Sequence, residues 1–381
     1  MKAIGLMSGT SMDGIDVALI ETDGEAIHSV GPACAFPYTA PERHLLNEAM
    51  VSARGVKVRE DRSGVLALAE SMLTSKHAES VRAFAGMYGI ALSSVGVVGF
   101  HGQTVLHRPE RWLTVQLGDG QGLSAALGVP VVYDFRAADM ECGGQGAPLV
   151  PIFHRALALH GRLPLPAAFV NIGGISNITF VPEGPAEGLI AFDAGPGNCL
   201  IDDWALRHTG EPLDRDAHLA LSGHPSREVL AALLAHPYFK APAPKSLDRG
   251  TFTLDMIEGL SPADGAATLT AFTVAGIAAA ARLLPAQPQI WVIAGGGTHN
   301  PHILQGLRRV LGAQTLTADA AGFSADFMEA QAFAYLAVRR LKELPSTFAG
   351  TTGVSSPVVA GVIAYPGDAP HDPVGAAIFG G

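Results

Sequence analysis

The sequence is short of cysteine and of charge. Its three cysteines, Cys34, Cys142 and Cys199, are odd in number and widely spaced, so neither a disulfide framework nor a Cys/His zinc site is expected. Only 16% of the residues are charged, and the formal net charge is −10. Nucleic-acid-binding proteins usually present a basic face, so this balance argues against a nucleic-acid partner. The 48% of residues that are hydrophobic can instead form a large core.

Long hydrophobic runs are also missing. The best candidate, residues 275–293, contains Arg282 and two prolines, so it falls short of the ~18 uninterrupted apolar residues of a membrane span. The apolar start at residues 3–7 runs directly into Ser8 and soon meets Asp13, which argues against a signal peptide. We therefore predict a cytoplasmic protein with no membrane partner.

What the sequence does contain is an alternation of short strand-like runs and longer helical segments, which is typical of α/β proteins. Residues 4–20 read as a strand, a Gly/Ser/Thr turn and a second strand. Residues 169–180 repeat this pattern, which suggests a duplication. A Gly/Pro cluster at residues 161–166 precedes the second copy. The sequence therefore predicts an N-terminal domain, residues 1–163, and a C-terminal domain, residues 164–381.

Three glycine-rich turns are candidates for anion binding. Glycine allows φ > 0 or a close backbone approach, and consecutive N–H groups can then converge on a phosphate. Each turn could equally be an ordinary one, and no P-loop of the form GxxxxGK[ST] is present. The candidate residues are Ser8, Gly9, Thr10, Ser11, Met12, Asp13, Gly14 and Ile15 in the first turn, Gly173, Gly174, Ser176 and Asn177 in the second, and Gly295, Gly296 and Gly297 in the third.

Several polar residues at the ends of apolar runs are candidates for catalysis or ligand binding. Asp193, which precedes a Gly-Pro-Gly turn, is either a turn former or a general base. Glu329 lies on the apolar stripe of a helix, where a carboxylate must be paired, protonated or line a cleft. The remaining candidates either form hydrogen bonds to a polyhydroxylated ligand or make ordinary surface contacts. They are His101, Gln103, Thr104, Arg136 and Asp139.

Taken in chain order, these motifs resemble those of the 1,6-anhydro-N-acetylmuramic acid kinases, which are members of the sugar kinase/actin/heat-shock chaperone ATPase superfamily. The resemblance covers nearly the whole chain. The matching segments are residues 5–14, 101–104, 134–136, 143–148, 171–177, 192–198, 214–216, 244–246, 295–297 and 328–329.

The resemblance implies an α/β protein with the two-domain, duplicated actin-like or hexokinase-like ATPase fold and with ATP in the interdomain cleft. It implies that the first two glycine-rich turns hold the phosphates and that the third approaches the adenosine. Mg²⁺ is expected to be held mainly by phosphates and waters, so no protein ligand is named, and a homodimer is worth testing. The resemblance assigns catalysis to Asp193 and substrate binding to His101, Gln103, Thr104, Arg136, Asp139, Gly195, Asn198 and Glu329.

The implied reaction opens the 1,6-anhydro bridge of 1,6-anhydro-N-acetylmuramic acid with water and phosphorylates the freed 6-oxygen. The products would be N-acetylmuramic acid 6-phosphate and ADP, in cell-wall recycling. Two alternatives stay open: a kinase of a simpler anhydro sugar such as levoglucosan, and a nucleotide-gated binding protein without catalysis. A chaperone would also need a peptide-binding domain, and no spare ~150 residues remain for one.

Overall fold

The computed structural model describes residues 1–9, 11–248, 250–312 and 314–367. Thr10, one of the predicted ATP-binding residues, lies outside the described residues. In chain order the strands are β1 (Lys2–Met7), β2 (Gly14–Thr22), β3 (Ile27–Pro37), β4 (Val97–Phe100), β5 (Gln103–Arg108), β6 (Leu113–Leu117), β7 (Val131–Tyr133), β8 (Ala167–Ile172), β9 (Ile175–Val181), β10 (Ile190–Pro196), β11 (Ile290–Ala294), β12 (Gln314–Thr317) and β13 (Val362–Ala364).

The helices surround these strands. They are α1 (Ala40–Ala53), α2 (Val65–Tyr88), α3 (Gly120–Leu127), α4 (Ala137–Glu141), α5 (Pro151–His160), α6 (Cys199–Thr209), α7 (His218–Leu221), α8 (Arg227–Leu234), α9 (Pro262–Ala281), α10 (Pro301–Leu311), α11 (Met328–Leu341) and α12 (Ala349–Thr352).

The chain divides into two compact units. Unit 1 comprises Met1–Ala156 and the described residues from Phe327 onward, and unit 2 comprises Leu157–Asp326. The first division lies close to the predicted boundary after residue 163. The last segment differs from the prediction, which placed it in the C-terminal domain. It belongs to unit 1 because α11 packs on β1, β2 and β4, and because β13 pairs with β7.

The two units repeat one strand order. In unit 1 the order is β13-β7-β4-β1-β2-β3, in which β1, β2 and β3 form an antiparallel meander and β4 and β7 continue parallel to β1. In unit 2 the order is β10-β9-β8-β11-β12, in which β8, β9 and β10 form the meander and β11 and β12 continue parallel to β8. The α/β class and the duplication inferred from the two hairpins are therefore confirmed.

In unit 1, two adjacent glycines allow α11 to lie directly on the sheet. Gly5 and Gly99 are opposite each other on the parallel strands β1 and β4. A Cβ on Gly5 would overlap the backbone of Ala330, and a Cβ on Gly99 would overlap the backbone of Phe333. The first turn of α11, which carries Glu329, is thereby fixed above these strands.

In unit 2, the core is organised around α9. The helix begins with Pro262 after the Ser261 cap, whose side chain accepts the N–H of Asp264. It packs against β9, β10 and four neighbouring helices, and Phe272 on α9 and Trp291 on β11 are buried in this core. Among the described residues, α9 is the helix long and apolar enough to cross a membrane, with a mean hydropathy of 1.3. Because 67% of that stretch is buried, α9 also fits the description of a core helix.

Candidate active site

The second and third glycine-rich turns of unit 2 meet at one edge of the sheet. They follow the parallel strands β8 and β11, where Asn171 is opposite Ala294. Gly295 has φ +81°, and a Cβ there would collide with the side chain of Asn171. A Cβ on Gly297 would collide with Ile172. These two glycines are therefore needed for the third turn to pack on the end of β8, which is where ligands bind in open α/β sheets.

The second turn is joined to the start of α6. The N–H of Gly197 donates to the carbonyl of Gly174 at 2.9 Å, and the N–H of Asn198 donates to the carbonyl of Gly173 at 2.8 Å. Neither Gly173 nor Gly174 has φ > 0, so a left-handed backbone conformation is not the reason that glycine occupies these positions. A Cβ on Gly174 would meet no atom closer than the Cβ of Cys199, at 3.6 Å. The space beside this turn is therefore open, as a bound phosphate would require.

Three residues of unit 2 that were predicted to bind a ligand have structural roles within the protein. The hydroxyl of Ser176 is fully buried and donates to the carbonyl of Gly195 at 3.0 Å, so it cannot reach a ligand. Gly195 is itself buried and has φ +151° at an irregularity in β10, which gives it a backbone role rather than a substrate contact. The amide nitrogen of Asn198 donates to the carbonyl of Ile172 at 3.2 Å. The hydroxyl of Ser176 and the backbone of Gly195 thus have roles within the protein, and a ligand contact through the backbone of either residue stays a prediction.

Asp193 lies on β10, opposite Asn177 of β9, which is in turn opposite Asn171 of β8. Residues paired across a sheet point to the same face, so these three polar side chains form one row. One carboxylate oxygen of Asp193, Oδ2, accepts the N–H of Leu247 at 2.8 Å. The other, Oδ1, has no hydrogen bond to any residue that the structure describes.

The environment of Asp193 suits a general base. Burial raises the pKa of its carboxyl to about 6, although the N–H of Leu247 acts in the opposite direction by stabilising the charged form. At neutral pH the carboxyl is therefore ionised, yet it is far more basic than an exposed aspartate. A base with a pKa close to the working pH is largely deprotonated and still binds a proton well.

The first glycine-rich turn, in unit 1, is held by a buried network. Ser8 Oγ donates to Gln103 Oε1 at 2.6 Å and lies 2.9 Å from the hydroxyl of Tyr38. Gln103 Nε2 donates to the carbonyl of Gly9 at 3.2 Å, and the N–H of Tyr38 donates to the carbonyl of Asp13. Gln103 was predicted to contact the substrate; it is fully buried and instead holds this turn, because its amide is used on both sides.

The turn residues differ in what they can offer a ligand. A Cβ on Gly9 would meet nothing closer than 3.7 Å, whereas a Cβ on Gly14 would overlap the backbone of Phe36 on β3. Gly14 is therefore needed for strand packing. The side chain of Ile15 lies fully in the core, so only its backbone could face ATP. Ser11 and Asp13 are exposed, Met12 has φ +56°, and the buried hydroxyl of Ser8 is committed to the network above.

His101, Arg136 and Glu329 come together in unit 1. Arg136 donates to His101 Nε2 at 3.0 Å and to the carbonyl of Gly146 at 2.8 Å, while its buried Nε has no partner. Since arginine only donates, His101 accepts through Nε2 and carries its proton on Nδ1. Burial, together with the charge of Arg136, lowers the pKa of His101 to about 3, so the imidazole is neutral.

Arg136 and Glu329 stabilise each other's charge. Burial lowers the pKa of Arg136 to about 10, an effect that the carboxylate of Glu329 opposes. Burial raises the pKa of Glu329, and the charge of Arg136 opposes that rise. The structure therefore brings together three residues that the sequence named separately, and the group combines a cation, a neutral imidazole and a carboxylate.

Asp139 lies near this group, and its charge, like that of Glu329, opposes the lowering of the pKa of Arg136. It is fully buried, and its carboxylate accepts the N–H of Gly146 at 2.7 Å, the hydroxyl of Thr352 at 2.6 Å and the hydroxyl of Thr347. These bonds join the segment around α12 to the loop that follows α4. The side chain of Asp139 is thus engaged within the protein, and its contact with substrate stays a prediction.

A cavity of about 390 Å³, its mouth included, lies at the carboxyl ends of β4 and β7 in unit 1. Among its polar lining residues, the sequence pointed to His101 and to Asp134, the latter within the matching segment 134–136. It missed Arg59 and Arg62 because they fall in a charged run, residues 57–62, that reads as a solvated loop. They also have partners that are distant in sequence: Arg59 pairs with Asp134, and Arg62, which pairs with the nearby Glu70, donates to the carbonyl of Gln116 at 3.0 Å.

Gln116 is another cavity residue that the sequence gave no reason to select. Its Nε2 donates to the carbonyl of His101 at 3.0 Å and lies 3.4 Å from the hydroxyl of the half-buried Thr104. Thr104, predicted to bind substrate, thus lies beside the cavity and is linked to its lining. Among the described residues, no group of three or more His, Cys, Asp or Glu side chains could hold a metal ion.

Comparison with known proteins identifies the family. The family model "Anhydro-N-acetylmuramic acid kinase" matches residues 1–366. Curated proteins of that name from Nitrobacter winogradskyi (strain Nb-255) and Rhodopseudomonas palustris (strain BisB18) are each 53% identical over 367 residues, which is 96% of this chain and 100% of each relative. The chain belongs to the anhydro-N-acetylmuramic acid kinase family.

Membership in the anhydro-N-acetylmuramic acid kinase family confirms the resemblance drawn from the motifs. A solved structure with a similar fold is component A of the Acidaminococcus fermentans (R)-2-hydroxyglutaryl-CoA dehydratase, at 11% identity and a TM-score of 0.48, covering 90% of this chain and 99% of that chain. A ROK family glucokinase from Streptomyces griseus is similar at 17% identity and a TM-score of 0.36, covering 88% and 99%.

The raised pKa of Asp193 predicts that this residue destabilises the folded protein at neutral pH. Its pKa is about 6 when folded against an ordinary value of 3.8, so the folded state binds the proton more tightly and loses stability as the pH rises through this window. We expect Asp193→Asn, which can still accept the Leu247 N–H, to raise the free energy of unfolding at pH 8 by up to about 3 kcal/mol.

Denaturant titration of this anhydro-N-acetylmuramic acid kinase family member and of the variant, at pH 8 and at pH 4, measures the effect. Most of the gain should disappear at pH 4, where the folded carboxyl is protonated and the pH is close to the ordinary pKa of 3.8 that applies to the unfolded chain. An equal gain at both pH values would mean that burial of the charge is not its cause.

Proposed function

We propose that this protein is an ATP-dependent kinase that opens the 1,6-anhydro bridge of 1,6-anhydro-N-acetylmuramic acid and phosphorylates O6. The products are N-acetylmuramic acid 6-phosphate and ADP, and the reaction serves cell-wall recycling in the cytoplasm. Family membership over residues 1–366 supports the substrate. The observation that carries the chemistry is Asp193, a half-buried carboxylate with a free Oδ1 and a pKa raised to about 6.

The substrate itself requires such a base. An anhydro sugar has no free 6-hydroxyl, so an ordinary sugar-kinase base would find no proton to remove. Asp193 instead takes a proton from water through Oδ1, and the water oxygen bonds to the anomeric carbon. The bond from that carbon to O6 breaks, and O6 takes its electron pair. O6 then bonds to the γ-phosphorus of ATP as the bond to ADP breaks, so that every atom and charge is accounted for.

In this proposal the glycine-rich turns bind ATP through backbone N–H groups. The open space beside Gly9, Gly174 and Gly296, none of which has a protein atom closer than 3.6 Å to an added Cβ, fits a ligand that approaches the backbone closely. Mg²⁺, bound mainly through phosphates and waters, would neutralise charge on the transferred phosphate. Among the turn residues, Asp13 is an exposed carboxylate that could reach one of those waters.

The sugar is assigned to the His101, Arg136 and Glu329 group and the adjoining cavity. Arg136 supplies a fixed cation that suits the lactyl carboxylate, and Glu329 supplies an acceptor for a sugar hydroxyl. His101 stays neutral across the working pH range because its pKa is about 3, so it holds Arg136 in place without adding a second positive charge.

A coupled assay of ADP release tests the reaction. The panel comprises 1,6-anhydro-N-acetylmuramic acid, levoglucosan, N-acetylmuramic acid, which has a free 6-hydroxyl and no bridge, and no sugar. We expect release with the first compound to exceed release with every other. Asp193→Asn should lower kcat by at least about 10²–10⁴-fold, because general-base catalysis is lost, while ATP and sugar affinity change little.

Other outcomes of this panel have definite meanings. Preference for levoglucosan would indicate a kinase of a simpler anhydro sugar. ATP turnover that no anhydro sugar stimulates would indicate a nucleotide-gated binding protein. Near-normal turnover by Asp193→Asn would remove Asp193 as the base and make Glu329 the candidate.

ATP binding at the second turn can be tested separately with Gly174→Val. The added side chain points into open space in the protein itself, so the variant should fold normally and fill the position proposed for phosphate. We expect ATP affinity by calorimetry to fall at least about tenfold, as for a lost charge-assisted contact.

The matched control for this substitution is Gly184→Val. Gly184 lies between β9 and β10, at the opposite end of β9 from the second turn, and an added Cβ there would meet nothing within 4 Å. It should leave ATP affinity unchanged. Wild-type affinity in Gly174→Val would show that the second turn is only a turn.

A further inference from the structure

Asp193 lies on an edge strand, and its outward backbone groups must find partners beyond the sheet. β10 is the last strand of the unit 2 sheet. The ladder with β9 shifts register between Asp193 and Gly195, so regular pairing is interrupted directly after the proposed catalytic residue and resumes at Gly195. Irregularities of this kind re-aim a side chain, and they leave its orientation dependent on neighbouring contacts.

Tyr238 and Lys245 supply those contacts in a closed cycle. The hydroxyl of Tyr238 donates to the carbonyl of Asp193 at 2.6 Å. The N–H of Asp193 donates to the carbonyl of Lys245 at 3.0 Å. Lys245 Nζ donates to the carbonyl of Tyr238 at 2.7 Å, which completes the ring. Each of the three residues is thus held by both of the others.

The cycle is reinforced by packing. Lys245 Nζ lies 4.4 Å from the centroid of the Tyr238 ring and 5.7 Å from that of Phe192, the residue before Asp193. The Tyr238 ring also meets Phe239 edge-on, with ring centroids 5.7 Å apart. Tyr238 and Lys245 are therefore fixed by more than their hydrogen bonds, and they can transmit that rigidity to residue 193.

The same segment orients the carboxylate. Two residues after Lys245, the N–H of Leu247 donates to Asp193 Oδ2. Because Oδ2 is taken, the free Oδ1 is the oxygen left to accept a proton. Residues 244–246 matched a family motif in the sequence, and this contact gives that motif a physical role.

We propose that Tyr238 and Lys245 are positioning residues that hold the backbone of Asp193 so that Oδ1, and not Oδ2, faces the reacting water. The inference rests on the proposed function, in which Asp193 is the base. Neither side chain touches the substrate in this scheme. Their effect is on the geometry of the base alone, and a misplacement of about 1 Å at such a group can cost 10²-fold in rate.

Tyr238→Phe tests this with a minimal change, because it removes only the hydroxyl and leaves the ring beneath Lys245. We expect kcat for anhydro-sugar-dependent ADP release to fall about tenfold, with KM for ATP and for sugar within about twofold of the wild type. Lys245→Met, which opens the cycle at another bond, should behave in the same way.

The double variant gives the sharper result. Since each substitution opens the same ring, the losses should not add: Tyr238→Phe with Lys245→Met should reduce kcat by about the same factor as the larger single effect. In the Asp193→Asn background, Tyr238→Phe should have no further effect on the residual rate. Additive losses, an unchanged kcat, or a loss confined to KM would each overturn the proposal.

Tyr335→Phe is the matched control. Tyr335 is buried, whereas Tyr238 is half-buried, but its hydroxyl likewise donates to a backbone carbonyl, that of Glu25 at 3.0 Å, in unit 1. Its loss should lower stability to a similar extent while leaving kcat unchanged. If Asp193→Asn is inactive and Tyr238→Phe is normal, only the positioning role fails; if Asp193→Asn is active, the proposed function fails first.

Discussion

The carboxylate of Asp193 is held half-buried at the edge of the unit 2 sheet, and the chemistry proposed for this protein depends on that placement. Burial raises the pKa of this carboxyl to about 6, as the proposed general base requires, and it opposes folding for the same reason. Surrounding hydrogen bonds hold the residue in place despite the cost of burying its charge. A backbone N–H binds Oδ2 and a cycle through Tyr238 and Lys245 fixes the backbone, so that Oδ1 alone is left free.

In unit 1, the fold brings the charged side chains of Arg136 and Glu329 together in a buried environment. The paired glycines Gly5 and Gly99 let α11 contact the sheet, and the helix thereby delivers Glu329 to the environment of Arg136. Arg136 is held in turn by neutral His101 and a backbone carbonyl. A larger residue at either glycine would displace the helix and separate the two charges.

The sequence predicted those features that depend on neighbouring residues in the chain. Glycine spacing revealed the turns and the duplication, and the position of Asp193 at a strand end revealed a candidate base. The internal partners of Gln103 and Asp139 could not be predicted, because a polar residue at a strand end can point to a ligand or into the protein. Their actual partners, Ser8 and Thr352, lie far away in sequence. That α11 belongs to unit 1 could likewise not be predicted from its position in the chain, since it depends on packing against β1 and β4.

The central claim is that water, activated by Asp193, attacks the anomeric carbon while O6 receives the phosphate. Turnover in ¹⁸O-water, with the product trapped before the free sugar exchanges its anomeric oxygen, tests this most directly. The label should appear at the anomeric carbon, with none in the transferred phosphate. Label in the phosphate would show that water attacked phosphorus instead, and it would contradict this mechanism.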